Sequence, residues 1–276
     1  MCPFTHLTCQ EALSILQYFT SRIDFIHFIQ TTKKFRNVLE MFTSNPISLF
    51  AANGLFPNIS TQNLFTKKDR KIPGMKRYVL WYDVNYTRYL KELEHKNTIC
   101  KHVFYTKEER IKYGNSIPYG VNKIGSHCYE LCGDLNELIL PTTITSLSEG
   151  SFMSCLKLSS IILPTTLCSL PHLCFYDCPL LQHVVLPTTL TLIGDNCFQK
   201  CPNLVSVQLP SHLIYLGDSC FYDCYNLTSI VLPSSLTSMG DFCFSRCDNL
   251  TTVHLPPKFL FPKYTFYESP NVTATY

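Results

Sequence analysis

A Leu-Pro step recurs at Leu140, Leu163, Leu186, Leu209, Leu232 and Leu255, each 23 residues after the one before. That fixed period is the strongest constraint in the chain. A unit so short cannot bury an apolar face alone, so successive units must stack into a solenoid with one continuous core. With the proline as position one, repeats begin at Pro118, Pro141, Pro164, Pro187, Pro210, Pro233 and Pro256. Position four is Val121, Ile144, Leu167, Leu190, Leu213, Leu236 and Phe259, and position seven is Ile124, Leu147, Leu170, Ile193, Leu216 and Met239. Both are expected to point inward.

Position twelve is always aromatic: Tyr129, Phe152, Phe175, Phe198, Phe221, Phe244 and Tyr267. Stacked, these rings would make a buried spine. Gly125, Gly194, Gly217 and Gly240 stand at position eight, and Asp195, Asp218 and Asp241 follow three of them as N-caps for a predicted single helical turn. Leu, Ile or Val, and Leu then fall at positions eighteen, twenty-one and twenty-three. Proline ends the short strand they define, and seven parallel strands about 4.8 Å apart would give roughly 30 Å of sheet. In the degenerate last repeat, Phe259, Phe261, Tyr264, Phe266, Tyr267 and Tyr276 are expected to act as an aromatic cap.

Written position by position, the repeat is I/L-G-x-x-x-F-x-x-C-x-x-L-x-x-I-x-L-P, and in this form it resembles the leucine-rich repeat of the BspA-like type. The resemblance implies an α+β protein whose leucine-rich repeat solenoid presents a parallel sheet on its concave face. The chain as a whole also resembles BspA-like proteins of protist parasites, several of which lie at or near the cell surface or bind partner proteins. Bacterial relatives are secreted adhesins.

Cysteines fall at i and i+4 in five repeats: Cys128/Cys132, Cys174/Cys178, Cys197/Cys201, Cys220/Cys224 and Cys243/Cys247. On a helical turn each pair would share a face, which raises metal binding or disulfides as readings. No histidine recurs as a further ligand, however, and Ser151 replaces the first cysteine beside Cys155 without disturbing the pattern. A disulfide within one turn would also be strained. Small buried side chains account for the ladder, with no metal and no cofactor.

Before the repeats the chain changes character. Residues 1–116 hold 17 Lys/Arg against 9 Asp/Glu, whereas residues 117–276 hold 6 against 11. Residues 1–44 read as a helical segment, residues 45–116 as a mixed α/β connecting region and residues 117–276 as the solenoid. Ala12, Leu13, Ile15, Leu16 and Phe19 share one helical face. Ser21 offers an N-cap to a second helix carrying Phe25, Ile26, Phe28 and Ile29, with Phe35, Val38 and Leu39 on a third. Asn45-Pro46 ends the run.

The order of residues in EALSILQYFTSRIDFIHFIQTTKKFRNVLE resembles an F-box, with its Asp24-Phe25 step and closing Lys34, Phe35 and Arg36. That resemblance implies docking to a ubiquitin-ligase adaptor; an ordinary helical cap is the alternative. Leu49 to Phe65, broken at Asn53-Gly54 and Phe56-Pro57, has the makings of an irregular first turn. Arg77 to Tyr86 and Cys100 to Tyr105 read as strands, and Thr106 and Glu109 as the capping box of a short helix ended by Gly114.

The basic run Lys67, Lys68, Arg70, Lys71, Lys76 and Arg77 suits phosphate or an acidic lipid surface, or simply a solvated loop. No aromatic platform is interleaved with it, which argues against nucleic acid. The start of the chain has no basic leader and apolar core, and no run approaches the roughly 18 apolar residues of a membrane span. The expected location is cytoplasmic, with attachment at the periphery of the plasma membrane left open. The thiols would then be reduced, and the sequons at Asn58, Asn85, Asn226, Asn249 and Asn271 unused.

No nucleophile elbow, zinc-protease helix or phosphate loop is present, and Cys100 with His102 is a lone pair on one strand face; no enzyme activity is expected. The outward positions twenty and twenty-two are Glu137/Ile139, Ser160/Ile162, His183/Val185, Ser206/Gln208, Ser229/Val231 and Thr252/His254. This nearly uncharged face suits a protein or peptide ligand. Glu137, His183, Gln208, Val231 and His254 are the candidate contact residues. Repetition of the template would explain the regularity equally well. The function these features imply is a protein-binding scaffold or surface-associated recognition protein. The alternative is an F-box-type substrate receptor of a cullin ubiquitin ligase.

Overall fold

The computed structural model describes residues 7–31, 35, 37–49, 54–256 and 259–275. Lys34, Arg36, Asn53 and Tyr276 lie outside the described residues. The chain forms two compact units, Met1–Val103 and Phe104–Tyr276.

In the first unit, Thr8 caps α1 (Cys9–Leu16) through a reciprocal box in which the Glu11 N–H donates to Thr8 Oγ1 at 3.1 Å and the Thr8 N–H to Glu11 Oε2 at 2.7 Å. Ser21 accepts from the Asp24 N–H at 3.2 Å at the start of α2 (Arg22–Thr31). The third helix expected from Phe35, Val38 and Leu39 is only a 3₁₀ turn, Val38–Met41. Phe25 meets Phe56 edge-on at 5.3 Å and Phe42 at 6.1 Å, so Ile47 and Phe56, with Leu49, Leu55 and Ile59, complete the core of the helical segment. Fully buried Asn45 braces this junction, its amide donating to Ile47 O at 2.8 Å and Asn63 O at 2.7 Å.

Three parallel strands follow, β1 (Thr61–Leu64), β2 (Arg77–Leu80) and β4 (Thr98–Cys100), in the order β1-β2-β4. The single strand expected over Arg77–Tyr86 is divided. After β2 comes β3 (Val84–Asn85), and Tyr86 opens α3 (Tyr86–Leu93), capped by Asn85 Oδ1 accepting from the Arg88 N–H at 3.0 Å. The strand expected over Cys100–Tyr105 is likewise two, because a bend at Lys101-His102 separates β4 from β5 (Val103–Tyr105). Cys100 and His102 therefore share no strand face.

The second unit begins with the residues of β5 that pair with Lys123–Ile124, and with α4 (Lys107–Tyr113). The Thr106–Glu109 box forms as the sequence predicts, and Gly114 ends the helix at φ 99. Most later repeats contribute to two parallel ladders. One contains the expected strands at positions twenty to twenty-two. The other, which the sequence reading missed, is a two-residue ladder at positions six and seven: Ser169–Leu170, Leu192–Ile193, Tyr215–Leu216 and Ser238–Met239.

The segment carrying the aromatic is not helical. Positions ten and fourteen take left-handed backbone in repeat after repeat, as at Leu173, Asn196, Lys200, Ser219 and Arg246, with φ between 52 and 59. Each such residue costs about 1 kcal/mol. The recurring gain is that alternate amides turn toward the next repeat: the N–H groups of Phe175, Phe198 and Phe221 donate to Cys197, Cys220 and Cys243 carbonyls at 2.8 to 2.9 Å. The cysteines consequently do not pair across a helical face. Nor do the aspartates cap their own turns: Asp195 Oδ1 accepts from the Asp218 N–H at 3.0 Å, and Asp218 Oδ1 from the Asp241 N–H at 2.9 Å, so each ties its repeat to the one after.

The ring spine is present. Tyr129, Phe152, Phe175, Phe198, Phe221 and Phe244 stack with centroids 5.1 to 5.4 Å apart. Its next member is Phe266, 5.8 Å from Phe244, and not Tyr267, which is exposed. The last turn is shortened. Phe259 still donates to Pro256 O as position four does in other repeats, but Tyr264 already lies over Phe242 at 5.2 Å, and the strand pairing runs Thr252 to Thr273. One residue is lost where positions six and seven would form a strand, and another before Thr273. Counting a constant 23 therefore misassigned Tyr267.

Candidate functional site

The outward strand face divides into columns. At position twenty-one Ile161, Val184, Val207, Ile230 and Val253 are buried, while Glu137, His183, Gln208, Val231 and His254 on either side are all exposed. Ile139, Ile162, Val185 and Val231 make an apolar exposed column, Val231 at 59 %. An aliphatic stripe left in water along several strands is a feature associated with protein contact.

The face is interrupted. Glu137–Ile139, Ser160–Ile162 and His183–Val185 form one ladder, and Ser229–Val231, Thr252–His254 and Thr273–Thr275 another. Between them Ser206 makes a lone bridge to Ser229, and among the described residues no ladder pairing joins His183–Val185 to Ser206–Gln208. Beside this gap lies an open concavity of about 560 Å³, walled by Ser206, Gln208, Ser211, Ser229, Val231 and Ser234. Its lining is apolar surface edged with hydroxyls and one amide, without a charged group. Gln208 and Val231 stand together here; Glu137, His183 and His254 lie elsewhere on the face. Ser211 and Ser234 follow the Leu-Pro step, so a reading confined to the strand positions passed over them. Their signal was available in the small polar residues after Pro210 and Pro233.

The cysteines are packed, and they also donate. The thiols of Cys178, Cys201, Cys224 and Cys247 point at the carbonyls of Phe152, Phe175, Phe198 and Phe221, 3.1 to 3.2 Å away. Ser269 makes the same bond to Phe244 O at 2.7 Å in the last turn. Burial pushes the Cys128 and Cys247 thiols up to about 12. Cys197 and Cys220 are also raised well above the ordinary range by burial. A raised thiol pKa removes the thiolate that alkylation requires. At pH 8, iodoacetamide is therefore expected to label exposed Cys168 quickly and the core cysteines only in denaturant, as peptide mapping would show. Rapid native labelling of Cys197 or Cys220 would contradict the packing. Among the described residues no three His, Cys, Asp or Glu side chains converge as a metal-binding set, and no helix is long and apolar enough to cross a membrane.

Stacked 23-residue units, parallel strands and a continuous ring column define a leucine-rich repeat solenoid. Residues 97–201 and 169–275 match the BspA type leucine rich repeat region, in six copies. The chain belongs to this BspA-type leucine-rich repeat family, whose solenoids are typically non-enzymatic scaffolds and bind protein ligands. Among solved structures it is similar to a leucine-rich repeat protein of T. pallidum, with 28% identity over 45% of this chain and 60% of that one and a TM-score of 0.44. It is also similar to one from Bacteroides ovatus, with 20% identity over 79% of this chain and 55% of that chain and a TM-score of 0.49. A leucine rich cell surface protein of Faecalibacterium prausnitzii shares 16% identity over 79% of this chain and 76% of its own, with a TM-score of 0.43. The chain thus spans 60% and 55% of the lengths of the first two. No curated protein matches it.

Proposed function

We propose that this protein is a non-enzymatic scaffold that binds an extended protein segment on its strand face, centred on Gln208 and Val231. The observation that carries the reading is the uncharged concavity beside the interrupted ladder. Among the described residues Val207 and Gln208 belong to no ladder, and an extended segment supplies matching N–H and C=O groups. Its apolar side chains would cover Val231, and Gln208 would bond its backbone.

The test is selection from a displayed peptide library on the immobilised full chain. Binders of the wild type are expected to lose at least about tenfold in affinity for the double variant Gln208→Arg/Val231→Arg, since two charged side chains replace the amide and the aliphatic contact. Binding unchanged by that variant, and by replacement of His183 and His254 with Ser, would overturn the assignment.

A second reading, adaptor docking by the N-terminal helices, is favoured by one feature. A groove of about 560 Å³ runs past Leu13, Tyr18, Met41, Phe65 and Trp81, with Gln17 and Asn63 among its polar lining. Deleting residues 1–44 would be a poor test, because Phe25 and Phe42 belong to the core of that unit. Tyr18, 79 % exposed, is the better probe. Recovery of an adaptor and cullin with the wild type but not with Tyr18→Glu would support the ligase role.

A further inference from the structure

The basic run Lys67–Arg77 is not a free loop. Buried Gln62 holds it from both sides, donating to Arg70 O at 2.9 Å and accepting from the Ile72 N–H at 2.8 Å, and the Tyr78 hydroxyl donates to Ile72 O at 2.6 Å. This fixes Lys71 opposite α3. From that helix Arg88, Lys91 and Glu92 project toward it, with His95 one turn beyond, because residues three and four apart share a face. Together with Leu64, Asp69 and Tyr82 they line an open cavity of about 300 Å³.

We infer that this cavity is a binding site for a phosphoryl group, carried by a small phosphomonoester or by a lipid headgroup. Four of its eight lining residues are cationic or able to become so: Lys71, Arg88, Lys91 and His95. Glu92 offsets part of this charge, but it also positions what remains. It takes Lys71 at 2.7 Å and Arg88 at 3.6 Å on its two carboxylate oxygens and so anchors both at the wall. Lys71 is further held by Thr98 Oγ1 at 3.1 Å, and Arg88 donates to the Tyr82 hydroxyl at 2.8 Å. The other carboxylate, Asp69, is occupied by its own loop, where it accepts from the Ser48 hydroxyl and from the Phe65 and Thr66 N–H groups at 2.8 Å. Among the described residues the side chains of Lys91 and His95 have no ion-pair or hydrogen-bond partner. Two preorganised cations, the unpaired Lys91 ammonium and the unpaired His95 ring, set around a polar cavity of this size, suit a compact dianion better than a carboxylate or an apolar ligand.

The test titrates the full chain at low ionic strength with glycerol 3-phosphate, and separately with phosphatidylcholine vesicles with and without phosphatidylinositol 4-phosphate. Saturable binding of either phosphate carrier is expected. Lys91→Ala/His95→Ala should weaken it by at least about tenfold, the loss of two charge-assisted contacts. The control Lys67→Ala/Lys68→Ala, two cations outside the cavity, should change it by less than about twofold. Binding of glycerol 3-phosphate identifies a soluble ligand, and binding only of the phosphoinositide vesicles a headgroup. Failure to bind either carrier overturns the site, and so does an equal loss in both double variants, which would show attraction to net charge alone. Both pairs are on the surface, and circular dichroism checks that each variant is folded.

Discussion

Phe198→Ala is expected to destabilise the protein by about 4 kcal/mol, read as a lowered urea midpoint in far-UV circular dichroism. The ring is fully buried, and it lies 5.3 Å from both Phe175 and Phe221, so its removal opens a void bounded by two rings that cannot close it. The neighbours are held in place by backbone hydrogen bonds between repeats, which prevents collapse into the space. Phe266→Ala should cost about half as much, because that ring is only half-buried and its void is open to water. A Phe198→Ala effect below about 1 kcal/mol would mean that the spine is dispensable.

Gly217→Ala is expected to cost about 3 kcal/mol by the same measurement. A methyl group there would sit well inside contact distance of Asp195 N and the Gly194 carbonyl carbon, both backbone atoms that cannot swing away. The two repeats would have to separate, straining the bond from the Asp218 N–H to Asp195 Oδ1. Gly133→Ala is the control, since a methyl group there meets nothing within 4 Å, and it should be close to neutral. Ser148 and Pro171 occupy the position of Gly217 in two earlier repeats, so the position is not glycine in every repeat. The close approach belongs to the run Gly194, Gly217 and Gly240. If Gly217→Ala matched Gly133→Ala, that close packing would not matter to stability.

Much of this architecture was legible because the repeat states it several times. Inward residues at positions four, seven and twenty-one, the aromatic column and the exposed alternates each appear repeatedly, so local ambiguity averages out. The arc around the aromatic was misread for a physical reason. Leu173, Lys200 and Arg246 have no preference for left-handed backbone, and only the bonds to the next repeat, invisible in a local pattern, hold them there. The cysteine spacing suggested a helical face for the same reason. Outside the repeats each signal occurs once: Asn85 as a cap was overlooked, and a strand was carried through it into what is α3. The candidate face was readable residue by residue. Its concavity was not, since the gap between Val185 and Gln208 depends on a pairing that fails to form.

The alternating amides also determine where this chain can change length over evolutionary time. Alternate donors in the arc are matched to carbonyls one repeat further on, so a single inserted residue there would shift the whole series out of phase, whereas duplicating a complete unit preserves it. The shortened last turn gives up its residues elsewhere, between Phe259 and Tyr264 and again before Thr273. Insertions and deletions in related sequences should therefore cluster after the Leu-Pro step and before the outward strand. The number of whole units, by contrast, is free to drift.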